Sequence, residues 1–343
     1  MEGPPLKRTI RGLLHAVRRR VWAPGAVALA LLVAVCAVRY HSRGFFSAAT
    51  GVNLLADNAV LGIVAIGLTF VIIAGGIDLA VGAVMSASSV LCAVLLMEHG
   101  YGTAAAISIT LVGGLLYGAA AGAVIHATRL PAFIVTLAGM FLVRGLGYLL
   151  HLESVAIDHE GHAALASMRV PLWPGWSLPA TATLLLVAVI IGQSVLSSTR
   201  FGLHVRALGG NEHAAMVQGV PVFRTRVFVY ALSGLFGALG GVALTLYLSS
   251  GSHLEGIGLE LDAIAAVVIG GAALAGGAGS VVGTLLGAIT VGLVLTAITN
   301  YEGTLNSGLT RVAIGTLLLG FLLAQRLLKP SASHRNDLAS VRQ

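Results

Sequence analysis

Four ionisable side chains, Asp57, Asp78, Arg144 and Arg311, fall within long apolar runs of this chain. An ionised group at that depth in lipid is costly and needs a partner, a wet cavity or a bound ion. Three chemistries could use such residues. An ion- or proton-coupled secondary transporter of a small polar solute would hold its ion with them. An intramembrane aspartyl protease would need two carboxylates facing each other in adjacent spans, and a serine type a Ser/His pair. A solute pathway would use them as polar lining. Asp57 and Asp78 stand near opposite ends of one segment, and Ser86, Ser88 and Ser89 have no membrane-depth histidine in evident register. The pathway is favoured over the ion-coupled transporter, and both over the enzyme.

Asp78 lies in Gly75-Gly76-Ile77-Asp78-Leu79-Ala80-Val81-Gly82, which interrupts an apolar stretch running from residue 53 to residue 97. Backbone groups in lipid have no water to bond, so irregular chain at that depth must be buried in protein or line a cavity. A second break spans 270–283 and contains Gly270, Gly271, Gly276 and Gly277. Paired interruptions in two halves of a membrane chain point to a transport route at a repeat interface. The alternative for either break is a short cytoplasmic turn between two spans.

The elements holding these residues must be membrane helices. Hydrophobic residues form 57% of the chain, charged residues 10%, and the mean hydropathy is +0.94; a soluble domain carries about 25% charged residues. Apolar runs long enough to cross a bilayer, about 20 residues, recur along the sequence. The expected fold is an all-α polytopic membrane protein. Ten embedded segments are expected at roughly 24–38, 52–74, 79–97, 104–127, 131–150, 178–196, 227–249, 261–275, 279–299 and 308–327. Residues 1–22 form a basic arm. The first segment reads as an uncleaved anchor rather than a signal peptide, and 329–343 as a tail. Segments two to five and seven to ten would form an inverted repeat. With the N-terminus inside, the inner segments carry 15 of the 20 Lys and Arg, while the outer loops are acidic. That is the positive-inside pattern, with both termini cytoplasmic. It also accounts for the +7 charge without a nucleic-acid partner. Arg39 and Arg43 are exceptions. Cys36 and Cys92 read as core residues.

Glycines number 45. Gly113-Gly114, Gly118 and Gly122 share a helix face, as do Gly283, Gly287 and roughly Gly292, and small residues let helices approach closely in lipid. The longest inner loop, 197–226, holds a short capped helix. Asn211 is its N-cap, with Glu212 at the positive end of the dipole. Gly219 ends it and Pro221 forbids continuation. Gly210 precedes the cap, and Ala214 and Ala215 are expected as a small exposed face. The helix is either an idle surface element or a docking knob for a soluble partner. The chain has no G-x-x-x-x-G-K-[ST] loop, so it cannot bind and split ATP by the P-loop mechanism. No metal site is expected; His151, His159 and His162 with Asp158 and Glu160 read as a solvated loop.

Several motifs resemble the permease subunits of bacterial ABC importers for monosaccharides, the ribose, xylose and galactofuranose group. They are Asp57-Asn58-Ala59, Gly62 to Val71 running into Gly75 to Gly82, Pro131 to Met140 with Arg144-Gly145, Gly209 to Gly219, Glu260 to Gly271, and Gly279 to Thr284. The likeness covers about residues 45–327. Tyr301 to Leu305 and Glu153-Ser154 most resemble the galactofuranose branch, and Ala80 departs from the family's usual Ser. The resemblance implies a type II-like importer permease in the bacterial inner membrane, paired as a homo- or heterodimer. It implies a cytoplasmic ABC ATPase holding ATP and Mg²⁺, and a periplasmic sugar-binding protein. It makes the 211–219 helix the coupling element, and the chain itself would bind no cofactor. Asn58, Thr69, Asp78, Thr136, Arg144, Asp262 and Asn300 are the candidate path residues.

Overall fold

A computed structural model describes residues 22–40, 48–173, 176–297 and 307–328. Asn300, residues 1–21 of the expected arm and the tail from 329 lie outside them. The described chain is mostly helical. The first half holds α1 (Ala23–Tyr40), α2 (Ala48–Asp57), α3 (Ala59–Ile73), α4 (Val81–Met97), α5 (Thr103–Thr128) and α6 (Ala132–Leu150). An outer excursion carries β1 (Val155–Ala156), α7 (Glu160–Ala166), β2 (Arg169–Trp173) and β3 (Trp176–Pro179). Then come α8 (Ala180–Ser198), α9 (Arg200–Gly210), α10 (Glu212–Val217), α11 (Val222–Leu248), β4 (Ser250–Gly251), α12 (Leu259–Ile269), α13 (Val281–Thr296) and α14 (Ser307–Leu328).

Helices fall at each of the ten expected places, but they differ in reach. By length and composition α5, α6, α8 and α11 can cross a membrane, and the α2–α3 pair adds a fifth if its 52° bend is counted as one broken span. The apolar parts of α1, α4 and α13 are shorter, and α12 has 11 residues. Hydropathy alone could not separate these cases, because breaks of one or a few residues leave the apolar run intact. The all-α expectation also needs amending. β1 pairs with β4 and β2 with β3, both antiparallel. β1, β2 and β3 lie between α6 and α8 and β4 follows α11; the sequence marked no strand at either place.

Burial separates centre from rim. Every residue of α3 except Val60 is buried, as expected of a helix apolar on all faces. On α5 the buried residues are Ala106, Thr110, Gly114, Gly118, Gly122 and Ile125, mostly every fourth position. That stripe meets α11. A Cβ at Gly234 would fall on the Gly114 carbonyl oxygen, and one at Gly118 on the Tyr230 carbonyl. The backbones therefore touch directly. Gly113 is off the stripe, and a Cβ there would meet only a Leu91 methyl, at 3.9 Å. On α13, Gly283 and Gly287 likewise lie against α12 at Gly270 and Ala266, and Gly292 makes room for the Asn58 amide. α11 is the hub, packed on α3, α4 and α5.

Candidate functional site

The first break runs from an exposed turn at Gly75 to buried chain at Asp78 and Ala80. α3 ends at Ile73, Gly75 turns with φ +83°, and helix resumes only at Val81. Asp78 is buried, with one carboxylate oxygen accepting from Ser233 Oγ at 2.7 Å and the other from the Ala80 N–H at 2.9 Å. Ser233 stands 11 residues into α11, so Asp78 is about 16 Å from that helix's inner end. Thr136 of α6 closes the extended chain beside it. Its hydroxyl accepts from the Leu79 N–H at 3.1 Å and lies 3.2 Å from the Ile77 carbonyl. The irregular backbone of residues 77–80 is thus bonded to protein groups, as chain without access to water must be. Gly76 packs against the Tyr230 hydroxyl, where a Cβ would have no room.

The two breaks meet. The Gly277 N–H donates to the Ile73 carbonyl at 2.8 Å. A Cβ at Gly276 would lie 2.6 Å from the Gly209 carbonyl oxygen and 3.0 Å from Gly75 Cα. Three chain turns, from both breaks and from the end of α9, therefore join without side chains between them. Gly271, Gly276 and Gly277 all have positive φ, and Gly270 has its Cα against the Gly283 backbone. Gln193 of α8 completes the second break. Its Oε1 accepts from the N–H groups of Val281 and Val282 and from Ser280 Oγ, at 3.0–3.2 Å, so it caps the start of α13.

A cavity of about 680 Å³ opens beside the first break, lined by Gly76, His126, Arg129, Glu212, Arg226 and Tyr230 among others. It lies on the side that the charge rule assigns to the cytoplasm. Ser233, which holds Asp78, is one turn beyond Tyr230 along α11. The capped helix forms one wall. Asn211 Oδ1 accepts from the Ala214 N–H at 2.9 Å. At the other end Val220 N–H donates to Ala215 O and Gly219 N–H to Met216 O, each at 3.0 Å, with Gly219 at φ +80°. That pair of bonds is the Schellman motif. Glu212 accepts from Arg226 Nη2 at 2.7 Å, tying α10 to the first turns of α11. One expectation fails here. Ala215 is buried at 2% exposure, while Ala214 is exposed together with Met216 and Val217. Successive helical residues point about 100° apart, and Ala215 is the one that packs inward. Helix α9, N-capped by Thr199 through the Gly202 N–H, was also missed; its apolar residues are too sparse to stand out.

The remaining candidates separate. Thr69 Oγ1 bonds Thr284 Oγ1 at 2.7 Å, linking α3 to α13. Asn58 fills the bend between α2 and α3, its amide donating to Leu54 O at 2.8 Å. Both sit in tight interhelical seams. Arg144 of α6 reaches Gly256 O at 3.3 Å and Glu260 Oε2 at 3.7 Å, beside Gly82, where a Cβ would lie 2.5 Å from the same carboxylate. Asp262 is in the first turn of α12. Asp78 and Thr136 thus form one group, and Arg144 with Glu260 another. Ser233, Gln193 and Arg226 carry no local motif that would have marked them, and Glu260, although it opens the Glu260 to Gly271 stretch, has nothing local that pairs it with Arg144. In the outer connection the histidines take different partners: His151 meets Glu98 at 3.6 Å, His159 meets Thr103 at 3.3 Å and His162 meets Thr245 at 3.2 Å. Among the described residues no group of His, Cys, Asp and Glu is placed to hold a metal ion.

Comparison with known proteins agrees with this architecture. The chain is 44% identical over 283 residues to the inner membrane ABC transporter permease protein YjfF of Escherichia coli, covering 82% of this chain and 85% of that one. It is 35% identical to the ribose import permease protein RbsC of Haemophilus influenzae, over 79% of this chain and 83% of that protein. It is 33% identical to the fructose import permease protein FruG of Bifidobacterium longum, over 84% of each. No solved structure matches. Residues 50–323 match the family described as branched-chain amino acid transport system / permease component, and the chain belongs to that family of multi-span membrane permeases.

Proposed function

We propose that this chain is the membrane-embedded permease subunit of an ABC importer for a monosaccharide, in the bacterial inner membrane with both termini inside. The observation that carries the reading is the likeness, across most of the chain, to permeases named for ribose and fructose import. The fold supports it. A cavity on the inner side ends beneath a buried polar group, and a separately capped helix stands at its rim. The chain pairs with a second permease, identical or not. A cytoplasmic ATPase binds ATP and Mg²⁺ and docks on α10, and a periplasmic binding protein delivers the sugar. The stroke reaches the spans through the glycine junction, because Gly209 in the last turn of α9 lies against both breaks. The two halves, an inverted repeat in this reading, then rock about the junction. Galactofuranose is the sugar suggested within the class. The family's own description favours a second reading, a branched-chain amino acid as solute.

Uptake of labelled ribose, galactose, galactofuranose and leucine, compared between a deletion strain and its complement, separates these. Loss of uptake of a sugar alone supports the proposal, and loss of leucine uptake alone replaces it. Docking is tested with Ala214→Glu and Val217→Glu, both at exposed positions. Reduced ATPase association and uptake are expected. Unchanged association in both variants removes α10 as the docking element.

A further inference from the structure

The chain between α11 and α12 follows α4, with Ser252 and His253 buried and Leu254, Glu255 and Ile257 exposed. Ser252 N–H donates to Ser89 Oγ at 3.2 Å, and further on Gly256 lies over Gly82 and Met85. Gly237 of α11 packs on Val81 and Val84 at the same level, which is about 16 Å below the outer end of α11. One face of α6 follows this descending segment. The Tyr148 ring lies 4.1 Å from the His253 ring, and Arg144, one turn earlier, reaches Gly256 O and Glu260. His253 and Glu260 are 5% and 9% exposed. His253 Nδ1 and Glu260 Oε2 are both buried without a hydrogen-bond partner. Such atoms are costly to leave unpaired, and two of them within one short segment at membrane depth call for a ligand.

We propose that Arg144, Tyr148, His253 and Glu260 form a binding site for sugar hydroxyls in the outer half of the membrane, closed in this conformation by the Arg144–Glu260 pair. The donor set selects the ligand class. A carboxylate only accepts, a guanidinium only donates, and an imidazole nitrogen does either according to its tautomer. A hydroxyl does both, so a polyol can satisfy all three. A cation would meet Arg144, and an anion would meet Glu260. The half-exposed Tyr148 ring offers an apolar face to the C–H side of a sugar ring. Parting Arg144 from Glu260 frees both charged groups at once, so sugar hydroxyls compete for the groups that hold the mouth shut.

The inference rests on the importer reading, and its test keeps the two apart. The permease with its ATPase, without the binding protein, is placed in nanodiscs. Saturation-transfer NMR is recorded with millimolar D-ribose, D-xylose or D-galactose, for the native chain and for Glu260→Gln and Tyr148→Ala. Melting profiles confirm that each variant is folded; Tyr148→Ala removes a half-exposed ring and guards against a failure of Glu260→Gln. The native chain is expected to give a signal with at least one sugar. Glu260→Gln is expected to lower apparent affinity about tenfold, the effect of one lost charge-assisted contact, and Tyr148→Ala to lower it by loss of the ring face. Undiminished signals in the folded variants overturn the site. So does a silent native chain when the assembled importer takes up the same sugar, and in that case the importer reading stands. If the assembled importer takes up no monosaccharide, the reading and the site fall together.

Discussion

Ser233 and Asp78 show what a single side chain decides. The two are 155 positions apart, and their 2.7 Å bond is among the few polar links into the first break. Ser233→Ala leaves one buried carboxylate oxygen without its donor. The expected cost is about 1–3 kcal/mol, read as a lower melting temperature, whereas Ser233→Thr retains the hydroxyl and is expected to lose less. His162 gives a pH-dependent counterpart in the outer connection. Burial, with His159 nearby as a second cause, holds its pKa below the ordinary 6.5. The folded chain therefore resists protonation there, while the unfolded chain takes up a proton once pH falls below 6.5. Stability contributed by the neutral imidazole is complete above that value and declines as pH drops beneath it. His162→Gln, which can still meet Thr245, is expected to flatten this acid limb in melting curves. An unaltered limb would assign it to another group.

At the scale of elements, the α5–α11 seam depends on absent side chains. Gly234→Leu would drive a side chain into the Gly114 backbone, so loss of folded protein on size-exclusion chromatography is expected. Gly113→Ala, one residue off the stripe, is expected to be nearly neutral. Equal damage from both would mean that backbone contact is not what holds the pair. The capped helix predicts the opposite kind of result. Asn211→Ala removes one N-cap bond, which costs about 1 kcal/mol locally. Global melting should barely move, while hydrogen exchange in residues 212–217 should rise. The glycine stripe was legible in sequence because helical spacing puts every fourth residue on one face. The capping of α10 was legible because Asn, Gly and Pro act on their own neighbourhood. Which alanine of α10 faces outward was not, because that depends on where α9 and α11 lie.

For the whole molecule, the proposed importer reading makes this chain a passage driven by a separate ATPase. Reconstituted alone in vesicles, the chain is expected to move no sugar uphill on a proton or sodium gradient, and to do so only with its ATPase partner and ATP. Uphill transport by the chain alone would favour the ion-coupled alternative. Asp78 is consistent with the expectation. Its carboxylate is occupied by Ser233 and the Ala80 N–H, an arrangement that holds a break together.

The sequence alone determined the class of this protein, the places of its long apolar helices, the glycine-rich breaks and the caps of α10. Each of these follows from interactions within a few residues or from the free energy of apolar chain in lipid. Tertiary structure alone decided that the two breaks touch at Gly75, Gly209 and Gly276, that Asp78 is held by Ser233, and that Glu260 lies against Gly82 beside Arg144. Those contacts join residues far apart along the chain, and no local pattern records which distant backbone a glycine has been left bare to receive.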